Sequence, residues 1–267
     1  ASDTMTVTIT VTGANDAPDA GSNAVGAVTE DATATTATGT ISATDADDSA
    51  FTYTGDATGT YGAIAVASDG AWTYTLNNAD ADTTALDSTD SVTDAFTMTV
   101  SDGDASDTMT VTITVTGAND APTVGTEIAE TNVDEDDTSF SLDVSTSFDD
   151  ADTGDVMTYS ATGLPTSGNL VLSSAGVISG TPLNADVGIY TVVVTATDDS
   201  STTAPGTATD TFTLTVVNTN DLTTGTVTIS GDAYDDEVLT AETDTLADDD
   251  GLGTLTYQWA NQDGDIT

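Results

Sequence analysis

Residues 105–122 read ASDTMTVTITVTGANDAP, and the first half of this stretch determines the type of secondary structure. From Thr108 to Thr116 every second residue is Thr, and the residues between are Met109, Val111, Ile113 and Val115. Because successive side chains of a strand point to opposite faces of a sheet, this alternation predicts a strand with one apolar face. The GANDAP that follows has the composition of a linker loop.

The same 18 residues stand at positions 1–18 without a change, 104 residues earlier. This spacing is about the length of one β-sandwich domain. A looser copy of the boundary, VVNTND, ends at residue 221. We therefore predict the last strand and linker of a preceding module at 1–18, complete modules at 19–122 and 123–221, and a truncated module at 222–267.

Short alternating segments separated by turns continue through both complete modules. The predicted strands are 39–44, 51–54, 63–66, 72–76 and 96–101 in the first module, and 140–144, 157–162, 170–173, 177–180, 190–197 and 211–217 in the second. No segment has a helical period, so we predict an all-β fold of tandem sandwiches with about seven strands each. The predicted core aromatics are Trp72, Tyr74 and Phe96, and then Phe140, Tyr159, Tyr190 and Phe212.

The charge of the chain is its most unusual property. Its 267 residues include 46 Asp and Glu and no Lys, Arg, His or Cys, which gives a formal net charge of −46. No carboxylate can form a salt bridge to a side chain of its own chain, and mutual repulsion destabilises any compact state. Acids a few ångströms apart lie within the Debye length of about 8 Å, so they require protonation or a bound cation.

The missing residue types exclude several functions. Without basic side chains, direct binding to nucleic acid is excluded, and without His or Cys so are Ser-His and Cys-His catalysis and disulfides. Metal ligands are limited to oxygen atoms, which favours Ca²⁺ or Mg²⁺ over Zn²⁺. No apolar run approaches the roughly 18 residues of a membrane span, so we predict no direct membrane insertion, and no signal peptide is recognised.

Three ordered sets of motifs resemble known families. GAVTEDATATTATGTISATDAD, the block from YGAIAV to TVSDG and TVTITVTGANDAP, within 25–122, resemble a VCBS-type repeat of giant RTX-type bacterial adhesins. MTYSATGLP, GVISGTP, NADVGIYTVVVTATD and DTFTLTVVNTND, within 133–221, resemble a dystroglycan-type cadherin-like domain. Residues 225–267 resemble the start of a bacterial Ig-like repeat. These resemblances imply Ig-like or cadherin-like sandwiches in an elongated array.

The resemblance to cadherin linkers also implies calcium ligands. At the first two junctions the implied ligands are Asn15, Asp16, Asp45, Asp47, Asp102 and Asp104, and then Asn119, Asp120, Asp150, Asp152, Asp198 and Asp199. Acidic turns near the module starts add Glu30, Asp31 and Glu135. At the third junction the implied ligands are Asn220, Asp221, Asp248 and Asp250. Here the linker proline, present as Pro18 and Pro122, is replaced by Thr223, which argues for a less rigid junction.

Acids and amides also form ordinary turns, so isolated acids such as Asp56, Asp87 and Asp90 are interpreted as turn or solvated residues. The recurrence in register of Asn-Asp, Asp-Ala-Asp and a later acidic loop favours calcium binding instead.

We predict that the chain is not an enzyme. It is interpreted as a calcium-rigidified extender of a large secreted or surface-anchored bacterial adhesin, used in cell adhesion or biofilm formation. Its predicted partners are calcium ions and neighbouring modules of the same chain. The alternative is a homophilic, divalent-ion-bridged unit of an extracellular filament or matrix. Carbohydrate binding and paired-carboxylate hydrolysis have less support, because the loops offer few aromatic residues and no pocket-forming insertion.

Overall fold

A computed structural model of the chain describes residues 1–199, 205–234 and 237–258. The chain divides into two compact units. The first contains Ala1–Thr123, Asp149–Met157 and Thr197–Ala208, and the second contains Val124–Phe148, Thr158–Ala196 and Thr209–Thr267. Apart from two short 3-10 turns, at Ser145–Ser147 and Asn184–Asp186, the regular structure in the described ranges consists of strands, which confirms the all-β fold. No described helix is long and apolar enough to cross a membrane.

The first unit is a sandwich of two four-stranded sheets. Its strands are β1 (Ala24–Thr29), β2 (Thr36–Thr40), β3 (Thr52–Thr54), β4 (Ala57–Thr58), β5 (Gly62–Val66), β6 (Ala71–Leu76), β7 (Ser91–Ser101) and β8 (Ser106–Thr116). One sheet has the order β1-β8-β7-β3 and the other the order β2-β6-β5-β4.

The Thr-alternating stretch is the strand β8, at the centre of the first sheet. Its four apolar residues are buried, and it pairs antiparallel with β7 from Ser91 opposite Thr116 to Ser101 opposite Ser106. On its other side it pairs in parallel with β1. The strand β1 was not predicted, because the residues AVGAVT do not alternate between apolar and polar types, although their burial alternates in the fold.

The predicted core aromatics of the first unit are confirmed. Trp72, Tyr74 and Phe96 are each at most 4% exposed, and the Tyr74 and Phe96 rings lie 5.8 Å apart. Trp72 lies against β2, where a Cβ atom on Gly39 would come within 2.5 Å of the indole Cζ2. Gly39 is therefore required by the size of its partner rather than by its own backbone conformation.

A buried carboxylate connects this core to a loop. Asp94 is 5% exposed and accepts hydrogen bonds from the N–H groups of Thr60 and Tyr61 at 2.9 and 3.1 Å, and from the Tyr74 hydroxyl at 2.9 Å. Burial, followed by this contact, raises the pKa of Tyr74. Since a buried charge is costly unless it is hydrogen-bonded, three donors are needed to keep Asp94 inside.

Tyr74→Phe removes one of the three donors and should lower the free energy of unfolding by about 1–2 kcal/mol. The measurement is urea unfolding, with Tyr53→Phe at the edge of the same core as the control, for which we expect a smaller loss. Equal losses in the two variants would show that the hydroxyl of Tyr74 is not a specific support of Asp94.

The second unit contains a further pair of sheets. The strands from this part of the chain are β9 (Thr123–Val124), β10 (Thr131–Asp134), β11 (Ser141–Asp143), β12 (Phe148–Asp149), β13 (Thr158–Thr162), β14 (Val171–Leu172), β15 (Val177–Ser179), β16 (Gly188–Thr197) and β17 (Thr207–Val217). The sheets are β10-β17-β16-β13 and β11-β15-β14, while β9 pairs with β12. The parallel pairing of β10 with β17 corresponds to that of β1 with β8.

The aromatic core of the second unit differs in part from the prediction. Phe212 is buried as predicted, but Phe140, Tyr159 and Tyr190 are only half-buried. The deeply buried aromatic residue that the sequence analysis missed is Phe148, which packs against Tyr159 at 5.8 Å. The remaining buried hydrophobic side chains are aliphatic, and half of them come from the alternating strands β16 and β17.

Two predicted strand regions are less regular than expected. Residues 2–12 are identical to 106–116 but form no strand, and Met5, Val7, Ile9 and Val11 are 73–88% exposed. The same sequence is a strand only where β7 and β1 flank it, since a strand requires neighbours for its backbone groups. In the third segment, β18 (Thr228–Ser230) pairs with β19 (Thr240–Glu242), and most side chains are exposed.

Candidate metal centre

The implied ligands assemble into three sets that share two backbone contacts, and the first two sets also share a contact from the Asn side chain to a later acidic loop. Site 1 is defined as Asn15, Asp16, Asp45, Asp47 and Asp102; site 2 as Asn119, Asp120, Asp150, Asp152 and Asp198; and site 3 as Asn220, Asp221, Asp248 and Asp250. Sites 1 and 2 lie in the first compact unit, and site 3 lies in the second. The sequence register is thus reproduced as a spatial register.

In site 1 the linker is held by the two acidic loops. Asn15 Nδ2 donates to Asp102 Oδ2 at 3.1 Å, and the Asp16 N–H donates to Asp47 Oδ1 at 3.2 Å. The Asp47 N–H in turn donates to Asp45 Oδ1 at 2.9 Å. The pKa of Asp47 is raised, mainly by its side-chain contact with Asp45. The pKa of Asp45 is lowered, mainly by backbone N–H donors.

Site 2 repeats each of these contacts with more burial. Asn119 Nδ2 donates to Asp198 Oδ2 at 3.1 Å, and the Asp120 N–H donates to Asp152 Oδ2 at 2.7 Å. The Asp152 N–H donates to Asp150 Oδ1 at 3.0 Å. Asp152 and Asp198 are 5% and 3% exposed, so this set of acids is largely removed from solvent.

Glu30 joins site 2 from the turn after β1. Its side chain is 2% exposed, and its Oε2 accepts the N–H of Ala118, in the linker, at 3.1 Å. The next residue, Asp31, has a φ of +52°, and its charge raises the pKa values of Glu30 and Asp120. Asp31 therefore contributes its negative charge to site 2, rather than a hydrogen bond to the linker.

Glu30, Asp150 and Asp152 each use one oxygen to accept a backbone N–H and leave the other without a hydrogen-bond partner. The buried, unpartnered oxygens are Glu30 Oε1, Asn119 Oδ1, Asp150 Oδ2, Asp152 Oδ1 and Asp155 Oδ2. Ligand oxygens of Asp150, Asp155 and Asp198 all lie within 4.8 Å of one another. Since burying unpaired carboxylate oxygens is costly, this donor set fits a hard divalent cation with oxygen ligands.

The pKa values show the same electrostatic strain. Burial, followed by neighbouring charges, raises the pKa of Glu30 to about 7 and that of Asp152 to about 6. Burial also raises the pKa values of Asp120, Asp150 and Asp155. In the absence of a cation, part of this cluster is protonated near neutral pH.

Without a cation, stability should decrease as pH rises. A carboxyl group whose pKa is raised in the folded state binds more protons there than in the unfolded chain, so its contribution is complete below the unfolded pKa of about 4.5 and is lost through about 7. In EGTA we expect the calorimetric unfolding temperature to fall between pH 4.5 and pH 7.5, and to fall less in Glu30→Gln. A rising midpoint in EGTA would contradict this account.

Site 3 has the same core contacts but more exposure. The Asp221 N–H donates to Asp250 Oδ2 at 2.8 Å, and the Asp250 N–H donates to Asp248 Oδ1 at 3.1 Å. Glu135 occupies the position that Glu30 has in site 2: it is 2% exposed, and its Oε1 accepts the N–H of Thr219 at 2.8 Å. Glu135 Oε2 and Asp221 Oδ2 are buried without a hydrogen-bond partner.

Two of the implied ligands have other local roles. The Asp104 side chain is exposed, and the Asp104 N–H donates to Asp102 Oδ1 at 2.7 Å, which stabilises the turn. Asp199 is exposed and its Oδ1 accepts the N–H of Val156 at 3.0 Å. Both residues remain next to their sites, but the contacts show them shaping loops.

Asp155 was not among the implied ligands, and Asp87 and Asp90 were interpreted only as turn or solvated residues. All three line a cavity of about 350 Å³ together with Asp199, and Asp87 contributes to the raised pKa of Asp155. The Thr153 N–H, which donates to the Ala85 carbonyl at 3.1 Å, fixes these two loops side by side. The available signal was the spacing of Asp155, three residues after the second Asp of Asp-Ala-Asp.

If Asp155 is a ligand of site 2, Asp155→Ala should weaken Ca²⁺ binding at that site by about tenfold or more, as the loss of a charged ligand does. The measurement is calorimetric titration. Asp82→Asn, which removes the charge of an exposed residue that belongs to none of the three sites, is the control for the change in net charge. Equal affinities in the two variants would show that Asp155 is only a neighbour.

Comparisons with known proteins agree with this arrangement of modules. Residues 15–117 match the family model of the bacterial cadherin-like domain, and residues 121–217 match that of a putative Ig domain. The chain therefore contains cadherin-like and Ig-like modules in tandem. The first match covers the segment that resembles a VCBS-type repeat, and that finer assignment stays a prediction. No match to a curated protein was found.

Similar solved structures include three tandem cadherin fragments. Human mucin-like protocadherin EC1-2 is 16% identical, with 76% of this chain and 98% of that chain covered and a TM-score of 0.50. Mouse cadherin-23 EC22-24 is 19% identical, with 75% and 63% covered and a TM-score of 0.50. Protocadherin gamma B2 domains 1–5 are 16% identical, with 76% and 40% covered and a TM-score of 0.52. These likenesses, all below 25% identity, show the fold.

Proposed function

We propose that this tandem of cadherin-like and Ig-like modules is a calcium-rigidified extender within a large secreted or surface-anchored bacterial adhesin. The observation that carries the proposal is the set of buried, unpartnered oxygens in site 2, which except for that of Asp155 lie on residues in register with those of site 1 or site 3. Tandem modules with a recurring linker site support a spacer that holds a distant binding domain away from the cell. The proposed location is therefore extracellular, at the bacterial surface.

The ligand chemistry supports Ca²⁺ rather than a transition metal. Carboxylates, an Asn side-chain oxygen and nearby backbone carbonyls are hard donors, and Ca²⁺ accepts six to eight of them in irregular geometry. Mg²⁺ requires a near-octahedral set and retains water, which suits a site of clustered protein oxygens less well. The residues proposed to hold the ion at site 2 are Glu30, Asn119, Asp150, Asp152, Asp155 and Asp198.

The proposed mechanism starts from the hydrogen bonds by which acidic side chains hold the linker. Glu30 and Asp152 hold the N–H groups of Ala118 and Asp120, and Asp198 holds the side chain of Asn119. These contacts gather several carboxylates around one short segment, where their repulsion opposes the hydrogen bonds. A bound Ca²⁺ supplies the positive charge that the sequence lacks. The linker and its loops then form one charge-balanced unit, stabilised by mass action.

An affinity in the range of extracellular modules, about 10⁻⁴–10⁻³ M, would couple this rigidity to location. At the low free calcium of the cytosol, the acids of the three sites would repel one another and leave the linkers loose. Outside the cell the same residues would be neutralised. The chain would thus be flexible during export and stiff where it acts.

The test combines calcium titration by calorimetry with small-angle scattering in Ca²⁺ and in EGTA. We expect several ions bound per chain and a larger maximum dimension in Ca²⁺, with both effects reduced in Asp152→Asn and retained in Asp82→Asn. Binding without a change in dimension would overturn rigidification. A calcium-dependent increase in mass, rather than in single-chain dimension, would favour the homophilic, ion-bridged unit instead.

A further inference from the structure

The outer face of the sheet β1-β8-β7-β3 carries no charge. Its outward residues are Ser91, Thr93, Ala95, Thr97, Thr99 and Ser101 on β7; Ser106, Thr108, Thr110, Thr112, Thr114 and Thr116 on β8; Val25, Ala27 and Thr29 on β1; and Thr52 and Thr54 on β3. By contrast, 17% of the residues in the chain are charged. We call this surface the Thr face.

The two acids within these strands, Asp94 and Asp107, alternate to the inner face of the sheet, and the next acids along the chain lie in the connections at the ends of the Thr face. Asp102 and Asp104 occupy the turn between β7 and β8, and Glu30 and Asp90 lie beside the opposite ends of the strands. β-Propensity explains why Thr occupies the outward positions. As a result, the Thr face is a neutral surface about 34 Å long in a chain with a net charge of −46. This length is more than four Debye lengths.

We propose that the Thr face is a self-association surface, against which the Thr face of a second copy packs. A cationic partner would be attracted to the acidic ends rather than to this face, and the face has no aromatic side chain on which a sugar ring would stack. A second copy presents the same neutral surface, so the contact buries no unpaired charge. Thr hydroxyl groups both donate and accept, so they can pair across the contact.

The pairing is expected to be two-fold symmetric, with the same patch on both copies. Thr97 on β7 lies directly opposite Thr110 on β8, and this pair is at the middle of the face. From strand rise and spacing, the face covers ~500 Å² per copy, below the roughly 800 Å² per partner of a stable complex. Each contact is therefore weak.

Weak contacts become effective when they are repeated. In the second unit the outward residues of β16 and β17 are also uncharged, among them Thr191, Thr195, Thr211 and Thr213. On the same outer side, the edge strand β10 carries the exposed Asp134, so the uncharged surface of this sheet is limited to its inner strands. A chain with such a surface in each unit gains avidity, because the second contact is made at high effective concentration. This inference goes beyond the extender function and does not depend on a bound ion.

The other sheet of the first unit provides the matched control. Its outer face is also uncharged, with Thr38 opposite Thr73, but its strands are shorter. The same geometry gives an area of ~240 Å², about half that of the Thr face. Thr73 on β6 and Thr97 on β7 are both exposed and both lie on inner strands of their sheets.

The experiment is sedimentation equilibrium of the whole chain from 10 μM to 1 mM in 10 mM CaCl₂. We expect self-association with a dissociation constant on the order of 0.1–1 mM, as suits a small interface. Thr97→Glu should weaken it at least tenfold and Thr73→Glu should not. Thermal unfolding of both variants checks that they fold, and chemical shifts of labelled Thr methyl groups provide a second readout in the unmodified chain.

Salt and EGTA separate the two ways in which copies could associate. Association through the Thr face should strengthen as NaCl rises from 0.05 to 0.5 M, because salt screens the repulsion between acidic ends. Association by ions bridging acidic loops would weaken with NaCl and disappear in EGTA. A chain that stays monomeric to 1 mM, equal effects of the two variants, or shifts confined to loop residues would overturn the proposal.

Discussion

The structure depends on one constraint, the presence of 46 carboxylates without a cationic side chain to neutralise them. The fold meets this constraint through the places in which it puts the acids. Acids are mostly kept in loops and linkers, while the strands expose Thr and Ser and bury aliphatic residues. Where an acid is buried it is either surrounded by donors, as Asp94 is, or gathered with other acids at a linker, as Asp152 is. These two solutions have different consequences.

Asp94 and Asp152 are both about 5% exposed, yet their surroundings differ. Asp94 accepts three hydrogen bonds, and both of its oxygens are engaged, so it is complete without any other group. Asp152 accepts one linker N–H with Oδ2, while Oδ1 is buried without a partner among other acids. The raised pKa of Asp152 expresses the cost of this arrangement. Asp94, whose oxygens are all hydrogen-bonded within the protein, has a structural role. Asp152, which has a buried oxygen without a partner, is suited to binding a cation.

Related hydrogen bonds recur at three linkers, and this recurrence connects the local geometry with the proposed role. In each, an amide side chain or N–H of the Asn-Asp pair is held by an acid of a later loop. Glu30 and Glu135 are equivalent residues, each followed by an Asp with positive φ, although the surrounding sequences differ. Such repetition supports the proposal that the linker, rather than any single module, is the functional unit. In contrast to the acidic linkers, the outer sheet faces of the first unit carry no charge.

The sequence by itself determined the all-β fold, the repeat and most of the residues that come together at the three candidate sites. An alternation of two and an identical 18-residue copy are local signals that do not depend on distant contacts, and the absence of Lys, Arg, His and Cys is a matter of composition. The tertiary structure alone decided the rest. The parallel pairing of β1 with β8, the half-burial of Tyr190 and the entry of Asp155 into site 2 follow from which strands and loops become neighbours. Residues 2–12 show the physical reason most directly, because the same sequence is a buried strand at 106–116 and an exposed segment where no strand flanks it.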